Sequence, residues 1–281
     1  MTDAPLPTDP RTAHKYLEPL HAAIYFVPEG GERYETAGVT GMRAYFASRS
    51  APLGVVPAEV VISTFYNFSP ALVRKAIPSC WDKTTPAAVL QARLDVVDLS
   101  WQRMLGEAVL KSDEMAEAAG LAREACSAIA GQIEGRPLYA AHASLPWPEP
   151  EHLQLWHAVT LLREHRGDGH IAALVLAGLN GLEVSVNYVT YRNASNEELQ
   201  RATRGYSEEE WAQGKADLRA KGIFDADNAF TEFGQKQREE IEAQTDAAAA
   251  APYEHLGPER TARLIELVRP WARSITKQTF G

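Results

Sequence analysis

One stretch of 25 residues in the second half of the chain carries signals for the start and the end of one helix and for the start of the next. Ser207 is followed at the third position by Glu210, a capping box in which each side chain satisfies a backbone N–H of the other residue. Gly222 ends the helix that begins there, and Thr231 caps the next one. Apolar residues flank an Asp-Asn turn between these points. The pattern predicts a helix, a short β-hairpin and a second helix.

The sequence around this hairpin resembles that of MarR-type winged-helix regulators. The matching residues are LRAKGIFDADNAFTEFGQKQREEIEAQTD, within a resemblance that covers about residues 196–246. Over the whole chain there is also a similarity to an actinobacterial group of helix-turn-helix-like proteins, in LHAAIYFVPE, YFASRSAPLG, FYNFSPALV and LREHRGDGHIAALVLAGLNGLE. These resemblances imply a winged-helix fold and no particular activity.

Three short matches recur in the same order in the two halves of the chain. They pair Leu20-His21-Ala22 with Trp156-His157-Ala158, Ala37–Gly41 with Ala177–Gly181, and Phe68-Ser69 with Tyr206-Ser207. We therefore expect a mainly α fold with small β wings, arranged as a tandem, pseudo-duplicated winged helix. The predicted halves span residues 13–134 and 151–281, joined by a connector at residues 135–150.

Composition limits the classes of partner. The 281 residues carry a formal net charge of −9, which repels nucleic acid and anionic membranes on average. Two cysteines are too few for a disulfide framework, and the N-terminal residues lack the features of a signal peptide. We expect a cytoplasmic protein that does not associate with membranes and that binds a small molecule.

The helix that corresponds to a DNA-recognition helix begins with three carboxylates, Glu208, Glu209 and Glu210. Because the first turn of such a helix meets bases and phosphates, these residues disfavour DNA binding. Asp225 and Asp227 add negative charge to the wing. Binding to DNA would need compensation by Arg201, Arg204, Lys215 and Arg219.

The densest polar cluster lies at residues 164–170. Glu164, His165, Asp168 and His170 could ligate a divalent metal, and Glu164, Asp168 or His170 could act as a general base. In the alternative interpretation, Asp168 and its neighbouring glycine cap a new helix after a break in the chain.

His21 and His157 occupy equivalent places in the two halves, each on the apolar face of a helix. Facing a shared cleft, they could bind a haem or a metal or exchange protons near pH 7. The simpler alternative is that each is a buried histidine bonded to a backbone carbonyl.

A group of aromatic residues interleaved with polar ones could line a pocket for an aromatic or anionic ligand. Its candidate binding residues are Arg49 and Tyr66, and an aromatic core is the alternative. The full group is Tyr45, Phe46, Phe65, Tyr66 and Phe68 with Arg43, Arg49 and Asn67.

Three functions fit these residues. The first is a small-molecule, haem or metal-binding protein that uses a cleft between the two halves without strong DNA binding. The second is a MarR-like, ligand-responsive transcriptional regulator. The third is an enzyme on the same scaffold with a histidine and a carboxylate as acid and base. The ligand, the existence of catalysis and the oligomeric state are left open by the sequence.

Overall fold

The computed structural model describes residues 8–192 and 196–281. In these ranges the chain forms fifteen α-helical elements, the last of which is kinked at Gly257, and three short 3₁₀ helices, at Ala23–Tyr25, Ala51–Leu53 and Ser79–Asp82. The α-helices are α1 (Pro10–Ala22), α2 (Pro28–Thr36), α3 (Gly41–Ser50), α4 (Ala58–Phe65), α5 (Pro70–Ala76), α6 (Pro86–Leu105), α7 (Glu107–Leu110), α8 (Asp113–Ser127), α9 (Pro137–Ala143), α10 (Glu151–Leu176), α11 (Gly181–Tyr191), α12 (Glu197–Arg204), α13 (Glu208–Ala220), α14 (Glu232–Ala248) and α15 (Ala251–Phe280).

Many helices begin at a proline, because a proline at the first position has a suitable φ and lacks only an N–H that would have no helical partner. These helices are α1, α2, α5, α6 and α9. Others begin at a side-chain cap. The predicted capping box of Ser207 and Glu210 is formed at the start of α13, with bonds of 3.2 and 2.8 Å.

The expected β wings are not formed as strands in the described residues. Between α13 and α14 a single antiparallel bridge joins Phe224 and Phe230. The Asp225 carboxylate accepts the N–H groups of Asp227 and Ala229, both at 2.9 Å, so a side chain organises the turn. The described residues on either side of this turn form one bridge and no longer β ladder. In the first half, where a second wing would fall at residues 77–86, the chain forms the 3₁₀ helix Ser79–Asp82.

Packing divides the chain into two units that cut across the predicted halves. The large unit comprises the described part of Met1–Val55 together with Cys80–Asp168 and Asp246–Gly281. The small unit comprises Val56–Ser79 and Gly169–Thr245. The expected connector contains α9, whose Leu138 and Tyr139 are buried. Duplication of the two halves remains a prediction from the three sequence matches.

In the large unit α15 packs against α1 and α8, and α6 packs against α2 and α3. Trp101 of α6, Phe46 of α3 and Leu20 of α1 are fully buried in this core. Polar side chains are buried there too, and they form the candidate site described below. No single helix in the described ranges is long and apolar enough to cross a membrane, although the bent pair of α10 and α11 reaches that composition when taken together.

The core of the small unit lies around α11 and α13. Trp211 and Leu218 of α13 are buried, together with Val186 of α11. Gly214 permits close contact of the two helices, since a Cβ atom there would lie 2.9 Å from the Leu182 side chain. A larger residue at this position would separate α11 from α13.

The matched glycine segments of the two halves begin with the same local geometry, although their last glycines differ, since Gly41 has a positive φ of 56° and Gly181 does not. Gly38 and Gly178 both have positive φ, at 94° and 71°. The next residue closes the same turn in each case, from Val39 to the Tyr34 carbonyl at 2.9 Å and from Leu179 to that of Leu174 at 3.1 Å. This likeness is what the proposed duplication requires at these positions.

Candidate functional site

An open groove of about 390 Å³ lies on the surface of the large unit, between the end of α1, α2 and α3. Its walls include three tyrosines, Tyr25, Tyr34 and Tyr45, with Ile24 and Val27 as apolar neighbours. This size is in the range of small-molecule sites. We call it the tyrosine groove.

Behind the groove, Tyr25 is bonded to a buried histidine. The Tyr25 hydroxyl lies 3.2 Å from Nε2 of His21, whose Nδ1 lies 2.9 Å from Oγ1 of Thr160. The Thr160 hydroxyl itself donates to the Trp156 carbonyl at 2.9 Å, so it can only accept from His21. His21 is therefore protonated at Nδ1, and its Nε2 accepts a hydrogen bond from the Tyr25 hydroxyl.

Burial keeps this histidine neutral. Burial and then the charges of Arg163 and Arg93 hold the pKa of His21 well below its ordinary value. The Tyr25 pKa is raised by burial, so its hydroxyl also remains protonated. The pair thus presents a neutral hydroxyl at the groove with a hydrogen-bond acceptor behind it.

A buried ion cluster lies next to His21. Oε1 of Glu164 is 4.0 Å from Nε2 of His21 and accepts from Arg163 at 2.8 Å. Nε of Arg163 is also 3.4 Å from Glu18. Burial alone would lower the Arg163 pKa, but the carboxylates of Glu164 and Glu18 outweigh it and raise that pKa. Burial raises the pKa of Glu18.

Arg93 of α6 is a buried cation without a carboxylate partner among the described residues. Its side chain donates from Nη1 to the Ser48 carbonyl, and its guanidinium lies 5.2 Å from the Trp156 ring centroid. Nε and Nη2 have no hydrogen-bond partner, and the residue is 1% exposed. Ser48 also bonds Tyr34 of the groove, with 2.8 Å between the two hydroxyl oxygens. Arg93 therefore lies directly behind the groove wall.

Two further buried histidines share this interior. Burial, followed by the charge of Arg93, lowers the pKa of His142 well below its usual range and that of His157 to about 4. The His157 ring packs edge-on against Trp147 at 4.8 Å, and its Nε2 has no partner. Both residues are neutral at pH 7.

The predicted interruption between two helices at residues 164–170 is absent, because α10 continues through these residues. Asp168 does not cap a following helix: its carboxylate accepts from the N–H of Tyr139 at 2.9 Å, at the start of α9. Burial raises the Asp168 pKa to about 6. His165 bonds the Gln132 side chain at 3.1 Å. On a continuous helix, positions 165 and 170 point in different directions, because five residues turn the helix by well over a full turn.

The candidate binding residues are divided between the two units. His21, Arg49, His157 and His165 belong to the large unit, whereas Tyr66 and His170 belong to the small unit. Arg49 donates to the Tyr45 hydroxyl at 3.1 Å, next to the groove. Tyr66 donates to the Leu179 carbonyl, and His170 contacts Thr245 at 2.8 Å. The described residues include no group of three or more His, Cys, Asp or Glu side chains that could hold a metal ion.

Several residues of this site were not found by sequence reasoning: Tyr25, Tyr34, Arg93, His142 and Arg163. A signal for Arg93 exists, because it is the one charged residue on a helix face that also carries Val89 and Val96, both fully buried. A charge on an apolar stripe indicates either an ion pair or a ligand. The remaining residues show no such pattern.

The small unit contains two helices joined by a tight turn. Gly205, with a φ of 79°, ends α12 and leads through Ser207 into α13. A Cβ atom at Gly205 would lie 2.7 Å from that of Leu72 in α5, so the turn also requires glycine for space. With α11 packed on both helices, this arrangement has the geometry of a helix-turn-helix.

A family model described as a helix-turn-helix family matches residues 10–280. The chain belongs to this helix-turn-helix family. No curated protein and no solved structure matches it significantly.

As the second helix of the helix-turn-helix, α13 presents few available positive charges. Arg201 pairs with Glu208 at 3.1 Å, and Lys215 pairs with Glu197 at 2.7 Å. Arg204 lies over the Phe68 ring, and Arg219 donates to the Asn228 side chain. All four of the compensating cations considered from the sequence thus make contacts within the protein.

Proposed function

We propose that this helix-turn-helix family protein binds a small organic molecule in the tyrosine groove and does not bind DNA strongly through α13. The observation that carries the proposal is the Tyr25–His21 hydrogen bond, which connects the wall of an open groove to a buried polar cluster. Buried polar groups are costly to a fold unless they are satisfied or used.

The composition of the groove supports a planar ligand. Tyrosine rings supply large, rigid contact surfaces, and their hydroxyls supply directional hydrogen bonds. Glycines at positions 30, 31 and 41 line the same groove, and its polar lining outside the tyrosines is Glu35 and Thr40. A molecule with an aromatic or conjugated body and a polar end fits this arrangement.

The net charge of the small unit argues against strong DNA binding. Its residues include 14 Asp and Glu side chains and 10 Lys and Arg side chains, a net charge of −4. Phosphate contacts supply most of the affinity of DNA-binding proteins, and they need available cations. The first turn of α13 offers three carboxylates instead.

Filling the groove tests the ligand proposal. Gly31 lies in α2 on the groove, and a Cβ atom there would meet nothing within 4 Å. We expect Gly31→Leu to abolish ligand-induced shifts of the melting temperature in a screen of aromatic metabolites, while leaving folding intact. Gly120→Leu is the matched control, since Gly120 is a helical glycine of α8 with equally open surroundings.

Two outcomes of this screen contradict the proposal. One is that no compound stabilises the wild-type protein. The other is that every stabilising compound acts equally on Gly31→Leu and on the wild type.

A ligand-responsive regulator is the second candidate, favoured by membership of the helix-turn-helix family. Fluorescence anisotropy with labelled DNA from upstream of the gene, at low and moderate salt, separates the two candidates. We expect weak, non-specific binding that disappears as salt rises. Sequence-specific binding with a Kd below about 10⁻⁷ M would establish the regulator instead.

A further inference from the structure

The tyrosine groove has a buried positive charge behind its wall. The Ser48 hydroxyl bonds Tyr34, which lines the groove, and the Ser48 carbonyl accepts from Arg93. One residue therefore links the wall of the groove to the buried guanidinium.

The charges in this interior are unevenly paired. Arg163 has both neighbouring carboxylates, Glu164 and Glu18, as partners. Arg93 has a carbonyl and the face of Trp156, and two of its three nitrogens have no hydrogen-bond partner. The nearby histidines His21, His142 and His157 are neutral and add no negative charge.

A guanidinium in this position is costly to the fold. Removal of a cation from water costs several kcal/mol unless a carboxylate and further hydrogen bonds compensate for it. Arg93 has one hydrogen bond to a carbonyl and one aromatic face instead. Residues that destabilise a protein in this way are commonly retained for binding. The group missing from the neighbourhood of Arg93 is an anion.

We propose that the ligand of the tyrosine groove is an organic anion, with an aromatic body and a carboxylate or phosphate at its inner end, and that Arg93 selects that charge. This inference rests on the proposed ligand-binding function of the groove. The positive potential reaches the groove wall, since Arg93 acts to lower the pKa of Tyr34 and of Tyr25 against the raising effect of burial.

The test compares three probes of similar size on the wild-type protein by isothermal titration: phenylacetate, phenyl phosphate and the neutral phenylacetamide. We expect at least one anion to bind about tenfold more tightly than the amide, because the charge of Arg93 acts across the groove wall. The difference between the two anions shows which head group fits. Equal binding of acid and amide would overturn the anion proposal while leaving the groove as a ligand site.

Arg93→Met tests the role of the residue itself. We expect anion affinity to fall to that of the amide, with unfolding stability unchanged or increased, because an apolar side chain replaces a poorly paired charge. A structural arginine would give the opposite result, a loss of stability with unchanged binding. Arg93→Gln is a second variant if the first does not fold, and Arg273→Met, on the exposed face of α15, is the matched control.

Failure of the two proposals can be distinguished. If none of the three probes binds at millimolar concentration, the anion inference is contradicted. The metabolite screen with Gly31→Leu then decides separately whether the groove binds a ligand. If an anion binds but Arg93→Met binds it equally well, the assignment of Arg93 is wrong.

Discussion

Nδ1 of His21 lies 2.9 Å from Oγ1 of Thr160, and this pair determines which nitrogen of the histidine carries its proton. Because the Thr160 hydroxyl donates to a carbonyl of its own helix, the histidine must donate to it. The imidazole is left with one acceptor, which faces Tyr25 at the groove.

Thr160→Val is expected to destabilise the protein by about 2 kcal/mol, since it leaves a buried imidazole N–H without an acceptor. Urea unfolding measures this loss. Thr160→Ser keeps the hydroxyl and should lose much less. The ¹⁵N shifts of His21 should report the Nδ1-protonated form in the wild type and in Thr160→Ser, and a stable Thr160→Val with unchanged shifts would contradict the assignment.

His157 should make stability depend on pH. Its pKa is about 4 in the folded protein and near 6.5 when unfolded, so the unfolded chain binds more protons below pH 6.5. The contribution of His157 is therefore complete above about pH 6.5 and is lost as pH falls towards 4. We expect His157→Gln to reduce the loss of unfolding free energy between pH 7 and pH 5 by about 1–2 kcal/mol.

The control for this measurement is His255→Gln, because His255 is about half exposed. A His157→Gln profile parallel to the wild type would mean that His157 is not held neutral by the fold.

Asp168 should act in the opposite direction. Its pKa is raised to about 6 in the folded protein from 3.8, so the folded state binds more protons between these values and loses stability as pH rises through them. The free energy of unfolding of Asp168→Asn, measured relative to that of the wild type, should therefore increase by about 1–2 kcal/mol when pH is raised from 4 to 7. Urea unfolding of Asp168→Asn and the wild type at the two pH values checks this, and an equal difference at both would contradict it.

Gly205 is constrained by its backbone and by space, whereas Gly222 is constrained by its backbone alone. Both have positive φ, at 79° and 71°, but only at Gly205 would a Cβ atom meet Leu72. Gly222→Ala should cost about 1 kcal/mol, and Gly205→Ala about 2–4 kcal/mol. Equal losses in urea unfolding would mean that α5 moves away at little cost.

Local structure was predicted well where the signals lie within four residues of each other. The cap at Ser207 and the start of α14 after Thr231 depend on near neighbours in the chain, and both are found as expected. The break predicted near Asp168 was wrong. Glycine and aspartate lower helix propensity by about 1 kcal/mol at most, and burial of the long α10 outweighs this.

The candidate site was predicted only in part. His21, His157 and Glu164 were selected from their positions, but Arg93 and Tyr25 were not. The division of Tyr66 and His170 from the other candidates also had no sequence signal, because the packed units combine segments that are far apart in the chain.

The sequence by itself determined the helical class and the helix boundaries between Ser207 and Thr231, since these depend on caps, turns and apolar periodicity over a few residues. Only the tertiary structure decided which polar groups meet. Arg93, Ser48 and Trp156 lie on three different helices, and their contact depends on how those helices pack. That packing left a guanidinium in the interior without a carboxylate, a fact that no local pattern encodes.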